Sequence, residues 1–371
     1  MAVVGRMDIY CVDHGSSLRW TESASACHLT TTVLRVVDSD GAEGIAGYDS
    51  YTPGPSDRSV LEALRSLAPA LIGREATDRA ALAHDLRMAV VFPFSTAPLS
   101  MMDIALWDLE ARRASLPLCR LLDPSARDRI PAYASLTTMD TTAEYLATVA
   151  RARGDGLTAV KVHAWGEPER DIALLERLRA EHSDLTLMHD AEGVYDRGAA
   201  LRVARTLEAL SFRWFEAPLN DFDLEGYRDL RRQVDLPILP AGYAMWDPLQ
   251  IADSLRDPPW SAVRSEASST LGITALCEIA DLARSSALDF EPVSYGHTLC
   301  QAANLHVMLA FDNVHYFELP YPVEPWEYGV VDPIRPGPDG TVAMPGRPGL
   351  GVELDWDWIA GHAFATASLG A

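Results

Sequence analysis

Residues 159–190 read AVKVHAWGEPERDIALLERLRAEHSDLTLMHD. The stretch opens on a β-branched apolar run, Ala159 to His163. It continues as an amphipathic helix over Glu169 to Ala180, with Ile172, Leu175 and Leu178 on one face, and ends in a second apolar run, Leu185 to Asp190. Strand, helix, strand is one βα unit, and the chain repeats it. Further runs lie at Ile130 to Ser135, Phe212 to Glu216, Pro237 to Gly242, Ala262 to Glu266, Asp289 to Val293 and His315 to Glu318, making eight candidate strands. From the second onward they end at 163, 190, 216, 242, 266, 293 and 318, so the spacing stays between 24 and 27 residues. Strands buried on both faces and alternating with helices predict a (β/α)-type TIM-like barrel over residues 126–320. A doubly wound open sheet is the alternative, but no GxGxxG follows any strand.

Outward from the barrel the pattern changes. Residues 1–125 predict an α+β capping domain: a strand at Thr30 to Val37 with a hairpin turn over Asp38 to Gly44, and helices at Ser59 to Leu67, Ala80 to Ala89 and Ser100 to Ala114. Residues 321–371, rich in Pro, Gly and Trp, are expected to pack back on the cap rather than extend the barrel.

Composition narrows the function. The 371 residues carry 53 Asp and Glu against 31 Lys and Arg, a net charge of −22 that repels phosphate backbones and anionic lipid. Nucleic acid and membrane partners are therefore not expected. Five widely spaced cysteines without a CxxC pair argue against a disulfide framework. Arg6 and Asp8 follow a four-residue apolar start, so no signal-peptide core is evident, and a soluble cytoplasmic protein is expected.

Active sites of such barrels lie at the C-terminal strand ends. Here those ends carry Lys161 and His163, Asp190 with Glu192, Glu216, Tyr243, Glu266, Ser294 with His297, and Glu318. Lys161 and His163 are two apart and share a face. Asp190 and Glu216, on adjacent strands, would repel each other unless a divalent ion or a proton lay between them, and oxygen ligands suit Mg²⁺. A lone Glu or His at a strand end is ordinarily a salt-bridged rim residue; several in one register favour a site.

On these residues the chain resembles the mandelate racemase and muconate-lactonizing branch of the enolase superfamily over nearly its whole length. The resemblance is carried by Met101-Met102-Asp103-Ile104-Ala105-Leu106-Trp107-Asp108-Leu109, Ala159-Val160-Lys161, Leu187-Met188-His189-Asp190-Ala191, Trp214-Phe215-Glu216-Ala217-Pro218 and Leu271-Gly272-Ile273-Thr274. It implies a (β/α)7β barrel closed by the cap and its tail. The implied chemistry removes the proton α to a carboxylate through an enolate stabilised by Mg²⁺. Asp190 and Glu216 match the first two metal ligands. Glu318 matches an acid that, as a neutral carboxyl group, hydrogen-bonds the enolate. Where the family has its third acidic ligand the chain reads Pro240-Ala241-Gly242-Tyr243. Two readings follow: Glu192 supplies the missing oxygen, or Tyr243 hydrogen-bonds Glu216 in a metal-free site. The usual Lys-x-Lys of strand two is Lys161-x-His163. The usual strand-seven His and strand-six Asp are replaced by Val293 and Glu266, with His297 either reaching the site from the loop or capping the next helix.

Two cap loops, His14 to Trp20 and Tyr48 to Tyr51, nominate Arg19, Trp20, Tyr48 and Tyr51 for substrate binding, with Trp326 and Tyr328 as a further aromatic wall or domain packing. The expected activity is a lyase acting on a small hydroxy-acid or sugar-acid carboxylate, a dehydratase with Lys161 or His163 as base and His297 as acid. The alternatives are a racemase, epimerase or cycloisomerase, a metal-independent biosynthetic cyclase or lyase, or a non-catalytic relative. The resemblance also implies a homo-oligomer, from dimer to octamer.

Overall fold

The N-terminal sequence forms three long antiparallel strands, β1 (Val4–Leu18), β2 (Cys27–Asp38) and β3 (Glu43–Thr52), followed by α1 (Asp57–Leu67) and α2 (Ala97–Arg113). The computed structural model describes residues 2–370 apart from 23, 77–80, 83, 86, 87 and 89–95. The expected helix at 80–89 lies largely outside the described residues. β1 is not apparent in the sequence because Arg6, Asp8, Asp13 and His14 interrupt its apolar pattern. It is specified by its neighbours: β2 pairs along one edge and β13 (Ala363–Gly370) along the other. The tail therefore returns to the first domain as a strand, after a short helix, α10 (Trp356–His362), that begins at an Asp355 cap.

All eight apolar runs of the barrel become strands: β4 (Arg129–Leu136), β5 (Ala159–His163), β6 (Thr186–Asp190), β7 (Phe215–Glu216), β8 (Ile238–Leu239), β9 (Ala262–Val263), β10 (Asp289–Phe290) and β11 (Phe317–Tyr321). Parallel pairing runs β11-β4-β5-β6-β7-β8, and β9 pairs with β10. Ser261 N–H donates to the Ile238 carbonyl at 2.8 Å and carries the ring from β8 to β9. Seven helices separate the strands: α3 (Thr142–Gly154), α4 (Pro168–Glu181), α5 (Arg197–Ala209), α6 (Leu224–Arg231), α7 (Pro248–Ser254), α8 (Gly272–Ser285) and α9 (Thr298–Ala310). The architecture is a (β/α)7β barrel with an α+β cap. In the tail β12 (Thr341–Ala343) adds to the outer end of β4.

The stretches that carried the family resemblance meet at the domain interface. α2 is buried along most of its length, and its Asp103 accepts from Thr274 N at 3.0 Å and Thr274 Oγ1 at 2.6 Å, capping the first turn of α8. Trp107 Nε1 donates to the same hydroxyl at 2.9 Å. Asp108 lies one step round the helix, fully buried. It accepts from Ile45 N at 2.8 Å, Leu350 N at 2.6 Å and Arg112 Nε at 2.8 Å, so one carboxylate ties cap sheet, helix and tail together. α2 approaches β3 so closely that a Cβ on Gly44 would lie 2.0 Å from the Ala105 carbonyl oxygen.

Candidate active site

The polar strand ends converge on one cavity of about 170 Å³ between barrel mouth and cap. Lys161, His163, Asp190, Glu192, Glu216, Arg264 and Glu318 form its floor, and Trp20, Tyr51, Tyr243, Val293 and Tyr295 its walls. Parallel register places these ends together: His163 pairs with Asp190, and Asp190 with Glu216, so every second residue of β5, β6 and β7 faces inward at one level.

Cations and carboxylates alternate across the floor. Lys161 Nζ lies 2.6 Å from Glu318, 3.0 Å from Glu216 and 3.1 Å from Asp190. His163 Nδ1–H donates to the Leu136 carbonyl at 2.6 Å, which turns Nε2 toward Asp190 at 3.0 Å and Glu192 at 3.1 Å. Arg264 is 2% exposed, and one of its terminal nitrogens lies 2.7 Å from Glu216 and 3.1 Å from Glu318. Sequence reasoning passed over Arg264, taking only Glu266 from its strand. The usable signal was its position two residues before Glu266, a charge inside an apolar run with the parity of the site-facing residues.

These contacts set the protonation states. Burial would lower the His163 pKa, but Asp190 and Glu192 raise it to about 10, so the ring is an imidazolium. Burial would raise Glu318, yet Lys161 and Arg264 hold it at about 2. Glu318 is thus ionised, which corrects the expectation of a neutral carboxyl donor. Burial pushes the Glu216 pKa up, with Arg264 opposing and Asp190 assisting, so Glu216 is the floor carboxylate that most readily takes up a proton.

The other nominated residues divide. Trp20, Tyr51 and Tyr243 line the cavity. Arg19 is exposed and opens on a separate groove with Glu22 and Asp140, and Tyr48 lies outside the lining. Glu266 is also outside it, its pKa raised to about 7 by burial. His297 is corrected from acid to structural residue: it is the N-cap of α9, its Nε2–H donates to the Tyr328 carbonyl at 2.8 Å and its Nδ1 accepts from Leu299 N at 3.3 Å. Both ring nitrogens are spent away from the cavity. Trp326 backs the wall by packing against Tyr295 at 4.9 Å between ring centroids, and Tyr328 stacks on His14 at 4.6 Å.

Beneath the cluster, Glu291 is buried with one carboxyl oxygen unpartnered among the described residues, and burial pushes its pKa from 4.5 to about 8. The folded protein keeps a proton that the unfolded chain loses, so this group's contribution to stability is lost as pH rises from about 4.5 through 8. Glu291→Gln, neutral at every pH, removes that dependence. Urea midpoints of variant and parent should converge near pH 4 and separate above pH 8, the variant being more stable by roughly 2–4 kcal/mol. Equal midpoints at high pH contradict it.

The profile of the mandelate racemase/muconate lactonizing enzyme N-terminal domain matches residues 8–123, and that of the enolase C-terminal domain-like family matches residues 144–358. The chain belongs to this branch of the enolase superfamily. A Pseudovibrio sp. protein assigned to the mandelate racemase/muconate lactonizing enzyme group has a solved structure that superposes on this enolase-superfamily chain with a TM-score of 0.96, at 32% identity and 100% coverage of both chains. L-Talarate dehydratase from Polaromonas sp. JS666, solved with Mg and L-glucarate, gives a TM-score of 0.86 at 26% identity, again over 100% of both. L-Talarate/galactarate dehydratase of Salmonella typhimurium LT2 is 28% identical over 306 residues, 79% of this chain and 71% of its own.

Magnesium is thus found in solved relatives, and the residues present here can be tested for it. Mg²⁺ demands oxygen ligands at about 2.0–2.1 Å in a near-ideal octahedron. Asp190 and Glu216 are both in contact with protein cations, and the strand-five position offers no acid: a Cβ on Gly242 would stand 3.0 Å from the Arg264 backbone, Ala241 has no donor, and Tyr243 is 57% exposed. The backbone N–H groups of residues 241–244 turn instead to Asp221, at 2.8–3.4 Å. His163, Asp190 and Glu192 do bring ligand atoms within 4.8 Å of one another, but the imidazolium already bridges the two acids. The expected set of Asp190, Glu216 and Glu192 does not fit Mg²⁺ as these side chains stand.

Proposed function

We propose that this enolase-superfamily chain is a lyase that forms an enolate from a small α-hydroxy carboxylate and eliminates its β-hydroxyl as water. The observation that carries this reading is Lys161 and His163, side by side at the end of β5, on the floor of a cavity whose other groups are carboxylates and a guanidinium. Lys161 is the base. Its ammonium proton passes to Glu216 at 3.0 Å, and the freed amine takes the α-hydrogen. The electron pair of the C–H bond becomes the enolate and then the new C=C bond, and the β-carbon–oxygen bond breaks. His163 gives its Nε2 proton to the departing hydroxyl, so water leaves and the enol tautomerises to a 2-keto acid. The task foreseen for His297 falls to His163. Relatives named as dehydratases for talarate, galactarate and gluconate support dehydration, while cycloisomerases and an epimerase among them support isomerisation as the alternative.

One observation favours a hydroxy acid less polar than a sugar diacid. Trp20, Tyr51 and Tyr295 form the wall with ring centroids 4.8–6.0 Å from Trp20, and the Tyr51 hydroxyl is tied to the Tyr295 carbonyl at 3.2 Å. Tyr51, its hydroxyl so engaged, offers a ligand its ring rather than a free donor. Trp20→Ala is expected to raise KM about tenfold or more with a smaller effect on kcat, because the indole holds substrate and transition state alike. Initial-rate kinetics show the split; a loss confined to kcat contradicts it.

Incubation of a hydroxy-acid and sugar-acid panel in deuterated buffer, read by proton NMR, tests the reaction. Wash-out of one α-proton with appearance of a 2-keto acid is expected for some member. Absence of exchange across the panel refutes the reading. A cytoplasmic enzyme fits the five free cysteines, and among the described residues no helix is long and apolar enough to cross a membrane.

A further inference from the structure

We propose that Arg264 stands in place of a divalent ion in this barrel: its guanidinium is the resident cation of the acidic cluster and closes that cluster to metal. The inference deepens the functional reading, since it rests on this cavity being the reactive site, but binding rather than turnover tests it.

Four carboxylates, Asp190, Glu192, Glu216 and Glu318, meet three protein cations, Lys161, His163 and Arg264, so the floor carries −1 with all four acids ionised and none with a proton on Glu216. That leaves little for a divalent ion to neutralise. Of the three cations, Arg264 is the one that cannot be discharged at any pH the fold survives. It is anchored from below by the Glu291 carbonyl at 3.2 Å and bridges Glu216 and Glu318 above. An ion seated on Glu216 would have to push the guanidinium from a 2.7 Å contact and strand a buried charge without its partner. Room for Arg264 comes from the neighbouring strand. Gly242, with φ +98°, lets the end of β8 pass against the Arg264 backbone without a side chain, and no acid from that strand turns inward.

The exchange keeps the chemistry that matters at this spot. A fixed positive charge beside the reacting carboxylate lowers the energy of the developing dianion whether it is an ion or a guanidinium, and a guanidinium adds directional N–H donors. Arg264 Nε is buried with no partner among the described residues.

The test is Mn²⁺ binding to chelator-treated protein, followed by electron paramagnetic resonance of the free ion. Wild type should bind no Mn²⁺ at millimolar concentration. Arg264→Leu should bind about one equivalent, at least about tenfold more tightly than wild type, because the acids lose their permanent partner. Tyr243→Glu, at an exposed position that tolerates the change, restores a strand-five carboxylate with Arg264 in place and should still bind none. One equivalent bound by wild type, through His163, Asp190 and Glu192 or any other set, overturns the proposal. So does a site created by Tyr243→Glu alone, which would make the missing ligand rather than Arg264 the barrier. If Arg264→Leu does not fold, wild type and Tyr243→Glu still decide. A protein that exchanges α-protons yet binds Mn²⁺ refutes the role of Arg264 and leaves the reaction standing; one that binds no Mn²⁺ and exchanges nothing does the reverse.

Discussion

Lys161→Met is expected to lower turnover by about 10³-fold or more while leaving KM within a few-fold, since removing a positioned acid–base group costs roughly 10²–10⁴ and this one also organises three carboxylates. Lys161 is 1% exposed, and its Nζ lies within 3.1 Å of Asp190, Glu216 and Glu318. The thioether fills most of the aliphatic volume but leaves Asp190, Glu216 and Glu318 with Arg264 and His163 as their only cations in the cavity floor. Two losses are therefore superposed, one of the proton acceptor and one of charge balance. Lys161→Arg separates them: it keeps the charge but has no accessible free base, so it should retain the thermal midpoint far better than Met while remaining inactive. The pair is read by α-proton exchange in deuterated buffer together with thermal unfolding. An active Lys161→Arg enzyme would show that Lys161 acts only as a counter-charge and that the base lies elsewhere.

Asp108→Ala should have the largest effect on stability, about 3–5 kcal/mol, the cost of breaking a buried ion pair and orphaning its partners. Its carboxylate is fully buried although burial raises its pKa, and what keeps it there is the set of donors around it: Arg112, and the N–H groups of Ile45 and Leu350. Without it those two backbone donors, one on the cap sheet and one on the tail, lose their acceptor inside the interface. Asp108→Asn keeps an acceptor but not the charge, and is expected to fall between. Guanidinium midpoints measure both. An Ala variant within 1 kcal/mol of the parent would mean that water enters and satisfies the freed groups. Because Asp108 is not among the residues that line the cavity, surviving Ala protein should keep its KM.

Much of the fold was legible because strands and helices announce themselves by local periodicity. The βα spacing that starts at Ala159 located all eight barrel strands, and α2 appeared within a few residues of its actual span. β1 was not legible. Its polar residues break the alternation, and its conformation is fixed by β2 and β13, whose partners lie up to the far end of the chain. At the site, strand-end position singled out Lys161, His163, Asp190, Glu192, Glu216 and Glu318, all of which reach one cavity. It misdirected His297, because a His after a Gly at a loop end reads equally well as a site residue or a helix cap. The choice turned on Tyr328, distant in sequence, whose carbonyl takes the Nε2 proton.

Sequence by itself thus determined most of the charged residues this enolase-superfamily chain sends to the barrel mouth, since parity along a strand and the repeat of the βα unit are local properties. Only the tertiary structure decided what those residues do to one another. Protonation and ion pairing depend on distances across strands: the same Glu318 that the family resemblance implies is a neutral acid is an anion once Lys161 lies at 2.6 Å and Arg264 at 3.1 Å. For the same reason the role of Arg264 came only with the closed barrel: parity along its strand marks it as site-facing, but not which carboxylates surround it.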